Sequence, residues 1–106
     1  MKAVKIFSSK ESAFEALPLN APRKIIIADH VLCIVRTAGG IYSIQDDCPH
    51  QKTSLSQGSV NTYNEIICPL HEYRFSLKHG QESNLRTQPA DTYPVEVKED
   101  GVYLYF

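Results

Sequence analysis

The sequence predicts an all-β fold, an antiparallel sandwich or small barrel, in one domain of residues 1–106. Short apolar runs of strand length recur at close spacing, and glycine-containing turns separate several of them. The clearest pair is a hairpin near the end of the chain, where Tyr93–Lys98 and Val102–Phe106 flank a turn at residues 99–101. A chain of 106 residues is long enough for one such domain and too short for two.

The first half of the chain follows the same pattern and adds one helical segment. Residues 10–17 suit a short helix, because Ser9 or Ser12 can cap its start and Pro18 ends it. A turn at Asp29 and His30 is predicted between the second and third strands, and residues 38–40 form the next turn. The predicted strands are Val4–Phe7, Lys24–Ala28, Val31–Thr37 and Ile41–Asp46, with shorter ones around Val60, Ile66 and Ile67.

Charge and composition exclude several classes of partner. The chain carries 11 basic and 12 acidic residues, interspersed, which argues against nucleic acid or an anionic membrane surface. Apolar runs such as Val31–Val35 are too short to span a bilayer, and the first residues do not form an apolar signal segment. Three cysteines, an odd number, fit a reducing compartment. We therefore expect a cytoplasmic protein with neither a nucleic-acid nor a membrane partner.

Two short motifs carry the chemistry: "CPH", from Cys48 to His50, and "CPLH", from Cys68 to His71. Both follow predicted strands, so we expect both on loops at one end of a sheet. A proline after each cysteine stiffens the loop by fixing φ, which helps to hold metal ligands in place. Thiolate and imidazole ligands suit zinc, or an iron–sulfur cluster with mixed ligation. The spacing of seventeen residues between the motifs leaves both metals open.

Other candidate residues favour ordinary structural roles. Cys33 alternates with apolar neighbours in a predicted strand, which indicates a buried free thiol and not a ligand. His30 and His79 fall in predicted turns and are expected to be solvated. Lys52 and Arg74 lie near the two motifs, where they are able to steer a charged partner, but a solvated surface charge is the commoner role for such residues.

The paired motifs resemble those of the Rieske iron–sulfur proteins, whose pattern is Cys-x-His followed by Cys-x-x-His. The similarity extends to the hairpin "RTAGGIYSIQDDCPH", to "SLSQG", to the second loop "CPLHEYRFSLKHGQ", and to "QPADTYPVEV", which resembles the family's proline loop. The resemblance implies a Rieske fold with a two-loop cluster-binding subdomain at about residues 46–77. It also implies one [2Fe–2S] cluster, with Cys48 and Cys68 on one iron and His50 and His71 on the other.

The chain departs from the respiratory members of this family. Those proteins have an extra cysteine in each loop, which form a disulfide, whereas this chain has Thr53 and Leu70. They also place a serine and a tyrosine, both donors to sulfur, where this chain has Tyr73 and Phe75. Many members have glycine after the second histidine, and this chain has Glu72. The lost donors and the missing disulfide indicate a low-potential ferredoxin.

The resemblance implies a soluble one-electron carrier and not an enzyme. An oxygenase would need a second, mononuclear iron site in a further large domain, and no residues are left for one. The expected partners are a flavin-dependent reductase and a terminal ring-hydroxylating oxygenase. Two alternatives stay open: the small subunit of an assimilatory nitrite reductase-like complex, and a structural zinc-binding module.

Overall fold

The structure is a computed structural model that describes residues 2–106. Ten strands, one α-helix and one 3-10 helix follow one another in the described chain. In order they are β1 (Ala3–Phe7), α1 (Lys10–Ala16), β2 (Arg23–Ile27), β3 (His30–Thr37), β4 (Gly40–Gln45), the 3-10 helix (Leu55–Gln57), β5 (Ser59–Val60), β6 (Glu65–Ile67), β7 (Arg74–Ser76), β8 (Thr92–Tyr93), β9 (Val95–Lys98) and β10 (Gly101–Tyr105).

The strands form three antiparallel sheets, which confirms the all-β prediction. One sheet has the order β1-β10-β9 and a second has the order β2-β3-β4-β8. The third sheet, β5-β6-β7, is small and is built from the chain around and between the two Cys-Pro motifs. Hairpins connect most neighbouring strands, so each sheet is assembled mainly from local pairings.

Strand β3 is buried on both faces and separates two hydrophobic clusters. Cys33 and Val35 face one cluster, which also contains the two motif cysteines, whereas Ile34 faces the other. This alternation follows from the period of two along a strand. Cys33 is fully buried, and burial raises the pKa of its thiol to about 12, with Asp46 adding to the effect. The prediction that Cys33 is a buried free thiol is therefore confirmed.

The turn between β2 and β3 lies one residue earlier than predicted. Ala28 and Asp29 occupy it with φ of 48° and 70°, and Ile27 pairs with His30. A two-residue hairpin turn of this type needs positive φ at both positions, which alanine rarely adopts. His30 is exposed as expected, but it belongs to β3 and stacks on Phe106 with ring centroids 4.5 Å apart. The prediction that His30 is a turn residue is therefore wrong.

The predicted strand Tyr93–Lys98 is interrupted at Pro94. Strand β8 before it pairs with β4, whereas β9 after it pairs with β10 in a different sheet. Proline has no N–H to donate to a ladder, so the chain changes sheets at this residue. The remaining hairpin, β9–β10, forms as predicted.

Candidate metal centre

The first motif lies in a closed loop between β4 and the 3-10 helix. The N–H of Cys48 donates to the carbonyl of Thr53 at 2.9 Å, and the N–H of Lys52 donates to the carbonyl of Cys48 at 2.7 Å. Lys52 adopts a left-handed backbone, with φ of 58°, where the loop turns back. These bonds fix the backbone on both sides of His50. The loop therefore presents the Cys48 thiol inward, where it is fully buried.

The second motif lies in the loop between β6 and β7. The N–H of Cys68 donates to the carbonyl of Tyr73 at 2.8 Å, which closes the loop. His71 and Glu72 both have left-handed backbones, with φ of 62° and 54°. A residue with a Cβ pays roughly 1–2 kcal/mol for that conformation. Glu72 therefore strains the backbone at the position where many proteins with this motif have glycine.

The two loops bring the four predicted ligands together as two pairs. Cys48 and Cys68 are both fully buried in the same hydrophobic cluster, where the Cys48 thiol raises the pKa of the Cys68 thiol. The rings of His50 and His71 lie 5.2 Å apart between centroids, with an angle of 65° between their planes. His50 is half-buried and His71 is exposed. Within residues 2–106, no group of three or more Cys, His, Asp or Glu side chains is arranged around one ion position.

The chemistry of these side chains fits a metal centre. The Nδ1 atom of His50 is buried and has no hydrogen-bond partner within residues 2–106. A buried nitrogen without a partner costs free energy, and a metal bond removes that cost. Burial raises the pKa of the Cys68 thiol to about 11; an N–H bond from Leu70 lowers it and the nearby Cys48 thiol raises it. Metal ligation needs the thiolate, so binding must release this proton.

A third segment, at residues 88–91, packs beside the first loop. Gln45 and Asp91 exchange hydrogen bonds: the N–H of Gln45 donates to the carbonyl of Asp91 at 2.8 Å, and the N–H of Asp91 donates to the Gln45 side chain at 2.7 Å. The Gln45 amide also donates to the carbonyl of Asp47, in the first loop. Ala90 is buried in the same cluster as the two motif cysteines, and its N–H donates to Gly80. Gln45 thus connects the segment at residues 88–91 to the first loop.

Sequence reasoning missed the buried charge of Glu82, whose ion-pair partner contacts the second loop. Glu82 is 1% exposed and forms an ion pair with Arg86, whose guanidinium lies over the ring of Tyr73. An acidic and a basic residue four apart usually indicate an ion pair on the exposed surface of a helix. The sequence around Glu82 has no helical pattern, so the spacing did not predict this ion pair. Lys52 and Arg74, by contrast, are exposed. A role for either in steering a partner stays a prediction.

The fold and the paired side chains define a small β protein in which two loops bring two cysteines and two histidines together. The family model of the Rieske [2Fe–2S] domain matches residues 9–97, so the chain belongs to that family. The resemblance inferred from the motifs is thereby confirmed. Membership implies an iron–sulfur cluster and not a zinc ion as the group that this fold binds.

Known proteins give the same result. The 3-phenylpropionate/cinnamic acid dioxygenase ferredoxin subunit of Photorhabdus laumondii is 32% identical over 91 residues, which cover 85% of this chain and 86% of the relative. The ferredoxin fold in a complex of reduced oxygenase and oxidized ferredoxin in carbazole 1,9a-dioxygenase matches with 26% identity and a TM-score of 0.77, over 95% of this chain and 99% of that chain. A protein described as a nitrite reductase NADPH (small subunit) matches with a TM-score of 0.83 over the whole of both chains; at 23% identity this shows the fold alone.

These findings place the chain among electron carriers and not among catalysts, as the sequence predicted. No helix in residues 2–106 is long and apolar enough to cross a membrane.

Proposed function

We propose that Cys48, His50, Cys68 and His71 bind one [2Fe–2S] cluster, with the cysteines on one iron and the histidines on the other. The arrangement of the four side chains as a thiol pair and an imidazole pair supports this division, because it offers two distinct metal positions. The unpartnered Nδ1 of His50 is the observation that carries the proposal. The ligands lie within the proposed cluster-binding subdomain, about residues 46–77.

The bound cluster would accept and return one electron, at a potential in the range of roughly −150 to +300 mV for this class. The chain contributes the surroundings that set the position in that range. It buries both cysteines, exposes His71 at the tip, and places Phe75, which has no hydroxyl, in the cluster of buried residues around the thiols. No disulfide clamps the loops of the described chain, whose three cysteines are free. These features support a reduction potential at the low end of that range.

We infer that the loaded protein receives electrons from a flavin-dependent reductase and passes them to a terminal oxygenase in the cytoplasm. The 32% sequence identity to a dioxygenase ferredoxin subunit supports this choice of partners. The structural likeness to a ferredoxin solved in complex with its oxygenase supports it further. On this chain, His71 is exposed and the neighbouring Leu70 is 41% exposed. An apolar surface beside an exposed ligand suits a short-lived docking contact. Three free thiols suit a reducing compartment.

The metal content of purified protein tests the ligand assignment. We expect about two iron and two acid-labile sulfide per chain in protein produced with ample iron, and an EPR signal after one-electron reduction. Cys68→Ala should abolish both, whereas Cys33→Ala, which removes an equally buried thiol, should keep both. Stoichiometric zinc in place of iron, or loss of the cluster in Cys33→Ala alone, would contradict the assignment.

Electron transfer with defined partners tests the role. The reduced protein should be reoxidised quickly by a ring-hydroxylating oxygenase and only slowly by a nitrite reductase large subunit. The opposite order, or stable co-purification with the large subunit, would favour the second candidate, a nitrite reductase small subunit, whose fold this chain shares over its whole length.

A further inference from the structure

One face of the His50 ring is covered by a column of side chains that starts at a buried carboxylate. The column runs from Glu82 through Arg86 and Tyr73 to His50. Its first two members belong to the segment after β7, outside both Cys-Pro loops. A segment that contributes none of the proposed ligands therefore reaches one of them through two stacked side chains.

The base of the column is rigid. The Glu82 carboxylate accepts from Nε of Arg86 at 3.0 Å and from Nη2 of Arg86 at 2.8 Å, which is a two-point ion pair. It also accepts from the backbone N–H of Arg86 at 2.8 Å and of Asn84 at 3.2 Å, and from the Ser83 hydroxyl at 3.2 Å. A carboxylate that is 1% exposed needs such partners to stay ionised. Together they fix the plane of the guanidinium.

The middle of the column is a cation on an aromatic face. The Cζ atom of Arg86 lies 3.6 Å from the centroid of the Tyr73 ring. At that distance the guanidinium is in direct contact with the ring face, and a partly desolvated cation–π contact of this kind stabilises the loop. Tyr73 follows the second Cys-Pro motif, and its carbonyl accepts the bond that closes that loop.

The top of the column is the proposed ligand. The Tyr73 and His50 rings are stacked, with centroids 4.0 Å apart and planes 15° apart. His50 and Tyr73 belong to different loops, so this contact also links the two loops. Within residues 2–106 no ring stacks in parallel on His71, whose contact with His50 is edge-on, and His71 is exposed. The two proposed histidine ligands are therefore held differently: one is clamped and one is free at the tip.

We propose that Glu82, Arg86 and Tyr73 form a clamp that positions the His50 imidazole for metal binding and slows its release. This inference rests on the proposed ligation by His50. Tyr73 and Arg86 act through His50 and are positioning residues, because they supply no ligand atom themselves. Parallel stacking prevents rotation of the imidazole about its bond to Cβ, which keeps the buried Nδ1 in place. The Arg86 side chain is 40% exposed, so the column reaches the protein surface at this residue.

Four variants separate positioning from charge. Tyr73→Leu removes the stacking, and Tyr73→Phe keeps it. Arg86→Gln removes the cation and the two-point pair. Arg74→Gln is the matched control, because Arg74 is exposed and lines the same surface hollow as Arg86 and His71 but takes no part in the column. Both arginine changes remove one positive charge from the same surface.

The readouts are the rate at which the visible absorption bleaches in excess chelator and the pulsed-EPR couplings of the two histidine nitrogens. We expect Tyr73→Leu and Arg86→Gln to lose the cluster about 10-fold faster or more, the range typical of lost outer-shell partners. One of the two nitrogen couplings should change and the other should not. Tyr73→Phe should match wild type in both measurements, and Arg74→Gln should keep the wild-type bleaching rate.

Each possible outcome has a distinct meaning. If wild type holds the cluster but Tyr73→Leu and Arg86→Gln bleach at its rate with both couplings unchanged, the clamp is overturned and the ligation stands. If Arg74→Gln bleaches as fast as Arg86→Gln, charge and not positioning is responsible, and the clamp is overturned again. A wild-type protein that takes up neither iron nor sulfide overturns the proposed function and the clamp with it. Circular dichroism of each variant identifies misfolding, and Arg86→Gln keeps the test decisive if Tyr73→Leu does not fold.

Discussion

At the residue scale, Glu72 combines two features that oppose the proposed role. Its backbone is left-handed, with φ of 54°, and its exposed carboxylate lies next to the proposed ligand His71. Left-handed backbone favours glycine, and a negative charge beside the centre disfavours an added electron. The conformational cost lowers stability, and the charge lowers the reduction potential. The two effects arise from different atoms, so two substitutions separate them.

We expect Glu72→Gln to raise the reduction potential without changing the free energy of unfolding. An exposed unit charge is worth about 1 kcal/mol or less through water, so the rise should be tens of millivolts at most and should shrink in salt. Glu72→Gly should give the same rise and also stabilise the protein, because glycine adopts the left-handed backbone without strain. The gain in stability should be about 1 kcal/mol at most, because the greater flexibility of glycine in the unfolded chain offsets part of it. Voltammetry and urea unfolding measure the two effects. Equal unfolding free energies for both variants would show that the loop is not strained at this residue.

Phe75 offers a second test of the tuning of the potential. It is fully buried in the cluster that contains Cys48 and Cys68, and it has no hydroxyl to donate to a sulfur. A donated hydrogen bond stabilises the more negative, reduced state, so Phe75→Tyr should raise the potential. With a bond of about 1.5 kcal/mol that is only partly specific to the reduced state, the rise is tens of millivolts. Phe7→Tyr, in the other hydrophobic cluster, should leave the potential unchanged. An intact centre with an unchanged or lower potential in Phe75→Tyr would show that the new hydroxyl does not reach a sulfur.

At the element scale, the sequence predicted the features that depend on local chemistry. Helix α1 begins at Lys10 with Ser9 as its N-cap, one of the two caps predicted, and Ser9 and Ser12 cap each other's backbone N–H groups at 3.0 and 3.2 Å. Successive residues of β3 face alternate hydrophobic clusters, and the two motifs follow strands β4 and β6. The sequence did not predict the turn at Ala28 or the change of sheet at Pro94, because pairing between strands decided both. The Glu82 ion pair was missed for the same reason: its importance comes from contacts with residues distant in the chain.

Gly58 fixes the approach of the first loop to strand β6. A Cβ at this residue would lie 1.9 Å from the carbonyl oxygen of Ile67, the residue before Cys68. Since that oxygen belongs to the backbone, the strand itself must move to accommodate a side chain. We expect Gly58→Ala to destabilise the protein by about 1–3 kcal/mol and to accelerate cluster loss. Gly39→Ala is the control, because the atom nearest to its Cβ would be the movable hydroxyl of Tyr42, at 3.0 Å, and no backbone atom is among its three nearest contacts. Similar unfolding free energies for both alanine variants would contradict this account.

At the scale of the whole molecule, the segment after β7 connects the third sheet to the centre. The N–H of Ser83 donates to the carbonyl of Arg74 at 2.9 Å, and the N–H of Ser76 donates to the carbonyl of Gln81 at 3.0 Å. Glu82 bridges to Phe75 between these two bonds and points its carboxylate at Arg86. The segment is therefore held by backbone bonds to β7 and by one buried charge, and we expect the charge to contribute most of its stability. That contribution should appear in the stability of the entire protein.

The pH dependence of stability tests this point. The pKa of Glu82 is lowered from 4.5 to about 2, chiefly because the Arg86 side chain donates to the carboxylate; burial opposes this, and backbone N–H groups of Arg86 and Asn84 support it. A carboxyl with a lower pKa in the folded state stabilises the protein when ionised. Its contribution is therefore complete above about pH 4.5 and disappears as the pH falls towards about 2.

Replacing the carboxyl should remove this dependence. At neutral pH we expect Glu82→Gln to be less stable than wild type by about 1–3 kcal/mol, a value limited because Arg86 is 40% exposed and water screens part of the attraction. The difference should narrow in urea unfolding as the pH falls below about 4.5, since wild type then loses its ionised carboxylate. Glu15→Gln, which removes an exposed carboxylate on α1, should follow wild type throughout. A difference between Glu82→Gln and wild type that stays constant down to about pH 2.5 would mean that packing, and not the charge of Glu82, holds this segment in place.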